Sequence, residues 1–438
     1  VLAVSKIDYN SKMKLYFSDD ELPPEKTAAM FLAGPSPRQA SVADWRPEAL
    51  ALLEAMNFQG EVLIPIPKER FYGATQNTPG WTYVSQITWE RRAREFADLI
   101  VFWLPRHIDR SREDLGMPAF TSNFELGEDL GTGKVLYGRP DDAEKCRYLD
   151  ARVKSEGQQV HTRLDSLLEA ASSLLGNGLP RKRGECFIPL HIWKTPAFKA
   201  WYAELVNAGN RLEWARVVAT VGEKATLAAP FATVLHAHVY VTAESRVKSN
   251  EVLLSRPDTC AVAAIYRPAD GPDSIVLVRE FRTPVRNSEG FVYELPGGSS
   301  LNALLDPREC ARQELQEETG LYLDDLSRFQ KVGQRQVQAT LCTHACTLFV
   351  VELSAQEYEI LLKQAATRQA LGEHGSSEKT YVELVSFDQL VTLPVDYATL
   401  GMALEAARAW ARGVALERLL PGLEAALSRT PAAHEGGT

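Results

Sequence analysis

Between about residues 26 and 140, short apolar runs alternate with amphipathic stretches of helical period, and that alternation leaves few architectures open. "AAMFLAGPSP" reads as a buried strand entering a Gly-Pro turn, "WRPEALALLEAMNF" as a helix, and "EVLIPIP" as a second strand. "YVSQITWERRAREFAD" then reads as a helix feeding the strand "LIVFWLP", and "NFELGEDLGTG" as a helix ending at glycine before the short strand "KVLYG". Strands alternating with helices predict an α/β domain with a doubly wound parallel sheet, Rossmann-like or flavodoxin-like, helices covering both faces. In such sheets ligands sit beyond the carboxyl ends of the strands.

The texture changes after "GNGLPRKRGE". "ATVLHAHVYVTAES", "CAVAAIYRP", "SIVLVREFR", "GFVYELPGG", "CTLFVVEL" and "TYVELVSF" are β-rich, with helices expected near 307–319, 356–370 and 397–426. Strand runs with segregated helices predict an α+β second domain. The expected boundaries are 1–175, a linker at 176–187, and 188–438. A net charge of −9 argues against bulk nucleic-acid or anionic-membrane binding. No apolar run approaches a membrane span, and "VLAVSKIDYNSKMKLYF" lacks the layout of a signal peptide. Six scattered cysteines fit reduced thiols, so a cytoplasmic location is expected. Cys342, His344 and Cys346 read as a packed strand face.

In "RQELQEETGL", residues 312–321, Glu314, Glu317 and Glu318 fall at offsets 0, 3 and 4, on one helical face. Like charges so grouped repel, which leaves a divalent cation or a solvated helix end to compensate them. Upstream, "ELPGGSSLNALLDPREC" supplies a Gly-rich turn. Together, Leu295-Pro296-Gly297-Gly298 and the segment from Glu314 to Leu321 resemble the signature of the Nudix hydrolases. The resemblance implies a mixed-sheet α/β/α sandwich and Mg²⁺ or Mn²⁺ held by Glu314, Glu317 and Glu318. It also implies catalytic work by Glu317 and Glu318 on a diphosphate. Two positions depart from the pattern. The family's Arg is Gln313 here, with Arg312 about 100° round the helix, and the family's earlier Glu falls at Leu304 or Leu305. The flank "SIVLVREFRTPVRNSEGFVYELPGG" is similar to Nudix enzymes acting on ADP-ribose and related compounds. That likeness implies Arg279, Arg282 and Glu294 as substrate-holding residues, and Glu373 or Glu378 as a general base.

In the first half, "FLAGPSPR", "EFADLIVFWLP" and "NFELGEDLGTGK" occur in that order. A strand ending in Gly34-Pro35-Ser36 leaves N–H groups and a hydroxyl to cradle a ribose or phosphate, and Arg38 suits a 5′-phosphate. Glu125 alone reads as a helix N-terminal residue favoured by the macrodipole. The ordered set resembles the nucleoside 2-deoxyribosyltransferase family and relatives that hydrolyse N-glycosidic bonds. The resemblance implies Glu125 as nucleophile on the anomeric carbon, Asp98 contacting and helping protonate the base, and no cofactor. The Asp that transferases often carry six residues before the nucleophile is Ala119, which keeps hydrolase and transferase both open. Trp81, Trp89 and Trp103 read as core residues ahead of base-stacking ones.

Both resemblances point to nucleosides, nucleotides or nucleoside diphosphate compounds. The expectation is a bifunctional nucleotide-processing enzyme taking small molecules, with neither nucleic-acid nor membrane partners and a homodimeric state. The alternative makes the Nudix-like domain an impaired nucleotide sensor that regulates the glycosidase.

Overall fold

The structure is a computed structural model. It describes residues 13–37, 43–73, 81–111, 116–222, 225–300, 305–372 and 377–427, with side chains as far as residue 413. The expected Arg38, Leu304 and Glu373 lie outside the described residues. Two compact units, Val1–Arg256 and Pro257–Thr438, make up the chain.

In the first unit, β1 (Met13–Phe17), β2 (Ala29–Ala33), β3 (Gly60–Ile64), β4 (Leu99–Trp103), β5 (Val135–Gly138) and β6 (Val160–His161) form one sheet. Their order is β1-β3-β2-β4-β5-β6, and every pairing is parallel. β2, β3 and β4 are buried at every residue, which is why they read as unbroken apolar runs: both faces are covered. Met30, Leu32, Val62, Val101 and Leu136 pack on one face with α1 (Arg46–Ala55) and α5 (Leu164–Leu175). Phe31, Leu63, Ile100, Phe102 and Val135 pack on the other with α2 (Tyr83–Phe96), α3 (Phe120–Asp129) and α4 (Arg147–Ser155). The chain runs from β2 out to β3 and returns past β2 to β4, so a crevice opens at the carboxyl ends of β2 and β4.

The segment 176–187, expected as a linker, is instead built into this unit. Arg181 is fully buried and pairs with Lys26 in a two-residue antiparallel ladder. Its guanidinium grips Asp98 through both carboxylate oxygens, at 2.5 and 2.7 Å. Asp98 also accepts from Lys26 Nζ at 3.1 Å and from the backbone N–H groups of Ala29 and Leu190. After that segment come α6 (Pro196–Asn207) and an antiparallel sheet of β7 (Arg211–Val221), β8 (Ala232–Val241) and β9 (Arg246–Ser255). Phe198, Leu212, Leu235, Ala237 and Leu253 form their shared core. The sequence boundary grouped 188–256 with the C-terminal half, whereas the contacts group them with the first unit. Thr226 Oγ1 donates to Val135 O and Leu227 N to Gly133 O, tying the β7–β8 connection to the parallel-sheet region.

The second unit is a mixed sheet ordered β12-β11-β10-β14-β13, with β15 also on β11. Its strands are β10 (Thr259–Tyr266), β11 (Ser274–Phe281), β12 (Phe291–Glu294), β13 (Gln330–Gln336), β14 (Ala345–Glu352) and β15 (Thr380–Ser386). β10 and β14 are parallel, and the remaining pairings are antiparallel. Period-two alternation sends Val262, Val276 and Phe349 to one face, where α7 (Pro307–Thr319) and α8 (Ala355–Thr367) pack. Ala263, Leu277 and Val350 face the other way, towards α9 (Tyr397–Leu427). Among the described residues no helix is long and apolar enough to cross a membrane.

The Asp98 cluster generates a stability test. Removing the carboxylate leaves Arg181 and Lys26 buried without their shared partner, so Asp98→Ala should lower the unfolding free energy by about 3–5 kcal/mol. Urea denaturation measures it, and a loss under 1 kcal/mol would contradict a structural role of this size.

Candidate active sites

The crevice of the first unit is a cavity of about 230 Å³ lined by Gly34, Pro35, Ser36, Arg70, Glu90 and Glu125, among others. Gly34 has a φ of +148°, and a Cβ there would meet the Trp103 carbonyl oxygen at 2.2 Å, so only glycine lets the turn after β2 close against the end of β4. Arg46, completely buried at the start of α1, fixes that turn. Its Nη2 donates to Gly34 O at 2.8 Å, its Nε to Leu32 O, and its Nη1 to Asp44. α3 begins at Ala119, whose left-handed backbone (φ 57°) is uncommon for a residue with a side chain and marks a constrained entry to the helix.

Glu125, in the second turn of α3, lines this cavity together with Gly34 and Ser36. Burial, and then the charge of Glu90, push its carboxyl up to about 7, against the pull of Arg94 and Arg46. Glu90 is raised by burial as well, and Gln86 Nε2 donates to it at 2.8 Å. The site therefore holds two buried carboxyls, and the charge of Glu90 disfavours that of Glu125, the condition under which one keeps a proton while the other ionises. Tyr83 and Phe120 stand at the wall with 68% and 60% of their surface exposed, offering aromatic faces.

Asp98 requires a correction. It precedes β4, at the amino ends of the strands, where its N–H donates to Ala29 O, and its side chain is wholly buried. Burial alone would raise its carboxyl. The Lys26 and Arg181 charges override burial and hold it well below the usual range. A carboxylate so placed reaches no nucleobase in the crevice at the opposite ends of the strands. Glu90 and Arg46 escaped the sequence reading because each sits inside a plausible amphipathic helix pattern. Trp103 is a core residue, and Trp89 donates its indole N–H to Asp20 O.

In the second unit the turn after β12 meets α7. Gly297 N donates to Glu318 Oε2 at 2.9 Å. A Cβ on Gly298 would lie 2.3 Å from Glu314 Oε1, and one on Gly297 would lie 2.2 Å from Cys260 O, so the paired glycines are what let the carboxylates approach the turn. Glu318 is buried and Glu317 is exposed. Glu280, on the face of β11 that looks towards α7, offers a carboxylate oxygen within 4.8 Å of oxygens of Glu318 and Glu378. Burial, with Glu314, Glu378 and Glu280 nearby, raises Glu318 well above the carboxylate range. Burial likewise raises Glu280 to about 7, although Arg282 opposes it.

Arg282 joins this group. Its Nε and Nη2 donate to Glu294 at 3.1 and 2.8 Å, and Nη2 lies 2.7 Å from Glu280. Arg279 alternates to the other face of β11, donates to Glu289 and stacks over Phe291 at 4.0 Å, so it stands apart from the carboxylates. Arg312 turns to Glu309 and Tyr322, and Gln313 Nε2 donates to Glu309 at 2.9 Å, so neither takes the place of the missing Arg. Glu280 was overlooked because a lone glutamate inside "VLVREFR" looks like an exposed strand position. Among the described residues, Cys342, His344 and Cys346 form no metal-binding group.

The family model described as NUDIX domain matches residues 257–395. No curated protein matches the sequence. Among solved structures, the chain is similar to one described as the crystal structure of ADP compounds hydrolase. Identity there is 16%, over 47% of this chain and 95% of that one, with a TM-score of 0.33. It is also similar to Shewanella oneidensis NrtR complexed with a 27mer DNA, at 14% identity over 35% of this chain and 62% of that one, TM-score 0.26. At those TM-scores neither likeness bears on function. The family match, falling on the segment that carries the glycine turn and the gathered carboxylates, identifies residues 257–395 as a Nudix domain.

Proposed function

We propose that the C-terminal unit hydrolyses the phosphoanhydride of a nucleoside diphosphate-linked compound of the ADP-ribose kind. We propose further that the N-terminal unit cleaves or exchanges the N-glycosidic bond of a nucleoside or nucleotide. The first reading rests on one observation: Glu280, Glu318 and Glu378 converge within 4.8 Å beside the Gly297–Gly298 turn. An all-oxygen donor set of this kind suits Mg²⁺ or Mn²⁺, and those residues with Glu314 would hold it. When bound, such an ion supplies charge neutralisation at diphosphate oxygens and acidifies a water. The chain's own part is orientation. Gly297 fixes Glu318, Thr380 Oγ1 holds the Glu318 carbonyl at 3.0 Å, and Arg282 pins Glu294 where substrate would lie.

In the N-terminal crevice Glu125 is the nucleophile on the anomeric carbon. Glu90 takes the proton-donor role expected of Asp98, and Gly34 and Ser36 face the sugar. Glu125 works in its ionised form, as in double-displacement glycoside chemistry, and because the charge of Glu90 is part of what raises Glu125, Glu90 must take up a proton to act as the donor.

With ADP-ribose and Mg²⁺ the protein should release AMP, and chelation should stop it. Glu318→Gln should reduce the rate at least a thousandfold, roughly the scale of losing a central catalytic group. AMP release that survives chelation would contradict the metal-dependent reading. For the first unit, a screen of nucleosides and nucleotides should show free base, lost in Glu125→Gln by a similar factor, roughly a thousandfold. Base release retained in that variant would remove Glu125 from the mechanism. The acid limb of wild-type base release should fall near pH 7, where Glu125 ionises. Because Glu125 titrates higher in the fold than in the unfolded chain, stability is lost as pH rises from the ordinary carboxylate range to about 7 and levels off above it. Glu125→Gln should therefore gain on the order of 2 kcal/mol over wild type at pH 8, and little at pH 5. Denaturant melts at the two pH values check the sign.

A further inference from the structure

Two of the six cysteines meet at the Nudix turn. Cys260 opens β10, and its N–H donates to Gly298 O at 2.9 Å while its carbonyl packs on Gly297. Cys310 lies on α7, one turn before Glu314. The Cys260 thiol donates to Cys310 Sγ at 3.4 Å, both residues are buried, and neither is in a disulfide. The contact joins residues 50 apart in sequence, one beside the glycine turn and the other on the helix that carries Glu314 and Glu318. Packing alone explains a buried cysteine, but not two sulfurs directed at each other across this junction.

We propose that Cys260 and Cys310 form a thiol–disulfide pair, whose oxidation by a small peroxide staples α7 to β10 beside the Gly297–Gly298 turn. Cys310 sulfur attacks a peroxide oxygen. The O–O bond breaks, leaving a Cys310 sulfenic acid, and the released hydroxide takes the thiol proton as water. Cys260 sulfur then attacks Cys310 sulfur, the S–O bond breaks, and a second water leaves with the Cys260 proton. Two thiols and one hydrogen peroxide thus give one disulfide and two waters. The hydrogen bond from Cys260 draws the Cys310 thiol below its usual range, which favours Cys310 as the sulfur that attacks the oxidant first. From the present separation the sulfurs must close to about 2.05 Å, a small movement shared between a strand end and a helix. The bond does not depend on the hydrolytic reading of the site.

The test is peptide mapping of the intact protein after hydrogen peroxide treatment, alkylation of remaining thiols and digestion without reductant. The expected product is a linked peptide pair containing Cys260 and Cys310, lighter by two hydrogens than the separate peptides and released by dithiothreitol. The oxidised wild-type protein should also melt at a higher temperature than the reduced protein, since the link closes a long loop of the unfolded chain. Cys310→Ala and Cys260→Ala should each lose that rise, whatever their own starting stability. Peroxide treatment that leaves both thiols alkylatable, or that links either one to a different cysteine, would overturn the proposal.

Discussion

The buried carboxylate of Asp98 is the interaction around which the first unit is organised. Five donors converge on it: Lys26, both guanidinium arms of Arg181, and the N–H groups of Ala29 and Leu190. They come from the segment before β2, from the start of β2 itself, and from the stretch 181–190 that leads into the antiparallel sheet. An ion in this position is costly to bury and worse to leave unpaired, so the residues around it are fixed together or not at all. Arg181 grips both oxygens of Asp98, whose carboxyl is held well below the usual range even though burial pulls Lys26 down to about 7. Anchoring the amino ends of β2 and β4 in this way leaves the opposite ends, where Gly34 and Glu125 line one cavity, free of this ion cluster.

The second unit uses carboxylates in the opposite sense. Asp98 is surrounded by cations and held in its charged form, whereas Glu280 and Glu318 are buried among other carboxylates and pushed towards their neutral forms. Under the proposed metal-dependent function, a cation supplied from outside would favour their charged forms. Arg282 supplies part of that compensation, but it is shared with Glu294. The Glu90–Glu125 pair in the first unit is a third arrangement. There burial and the charge of Glu90 raise Glu125, and among the described residues no metal-holding cluster includes either group.

Much of this was legible in the residues. The parallel sheet followed from unbroken apolar runs between amphipathic helices, and α7 was expected near 307–319, where the structure has Asp306 capping it, Pro307 starting it and Gly320 ending it. The structure brings Glu314 and Glu318 to the glycine turn, and Gly34, Ser36 and Glu125 to one cavity, groupings of the kind the two resemblances imply. What failed was end-of-strand geometry. Whether an acidic residue at a helix–strand junction faces the amino or the carboxyl end of a sheet depends on which side of the strand it occupies, and Asp98 precedes its strand. Long-range ion pairing was equally invisible. A basic, Gly/Pro-rich stretch around Arg181 has the composition of a linker, and its burial depends on a partner 83 positions away. Glu280 entered its site through strand alternation and the arrival of Glu378 from a distant loop, which no local pattern reveals.

The central claim is that carboxylates from β11, α7 and the segment before β15 form one divalent-cation site within the Nudix domain. Mn²⁺ titration of the substrate-free protein, followed by electron paramagnetic resonance of the free ion, tests it without depending on turnover. Saturable Mn²⁺ binding by the wild type, weakened at least about tenfold in Glu280→Gln, is the result this structure predicts. Equal affinity in the two proteins would contradict it, because Glu280 is the member of the set that three-dimensional proximity contributed.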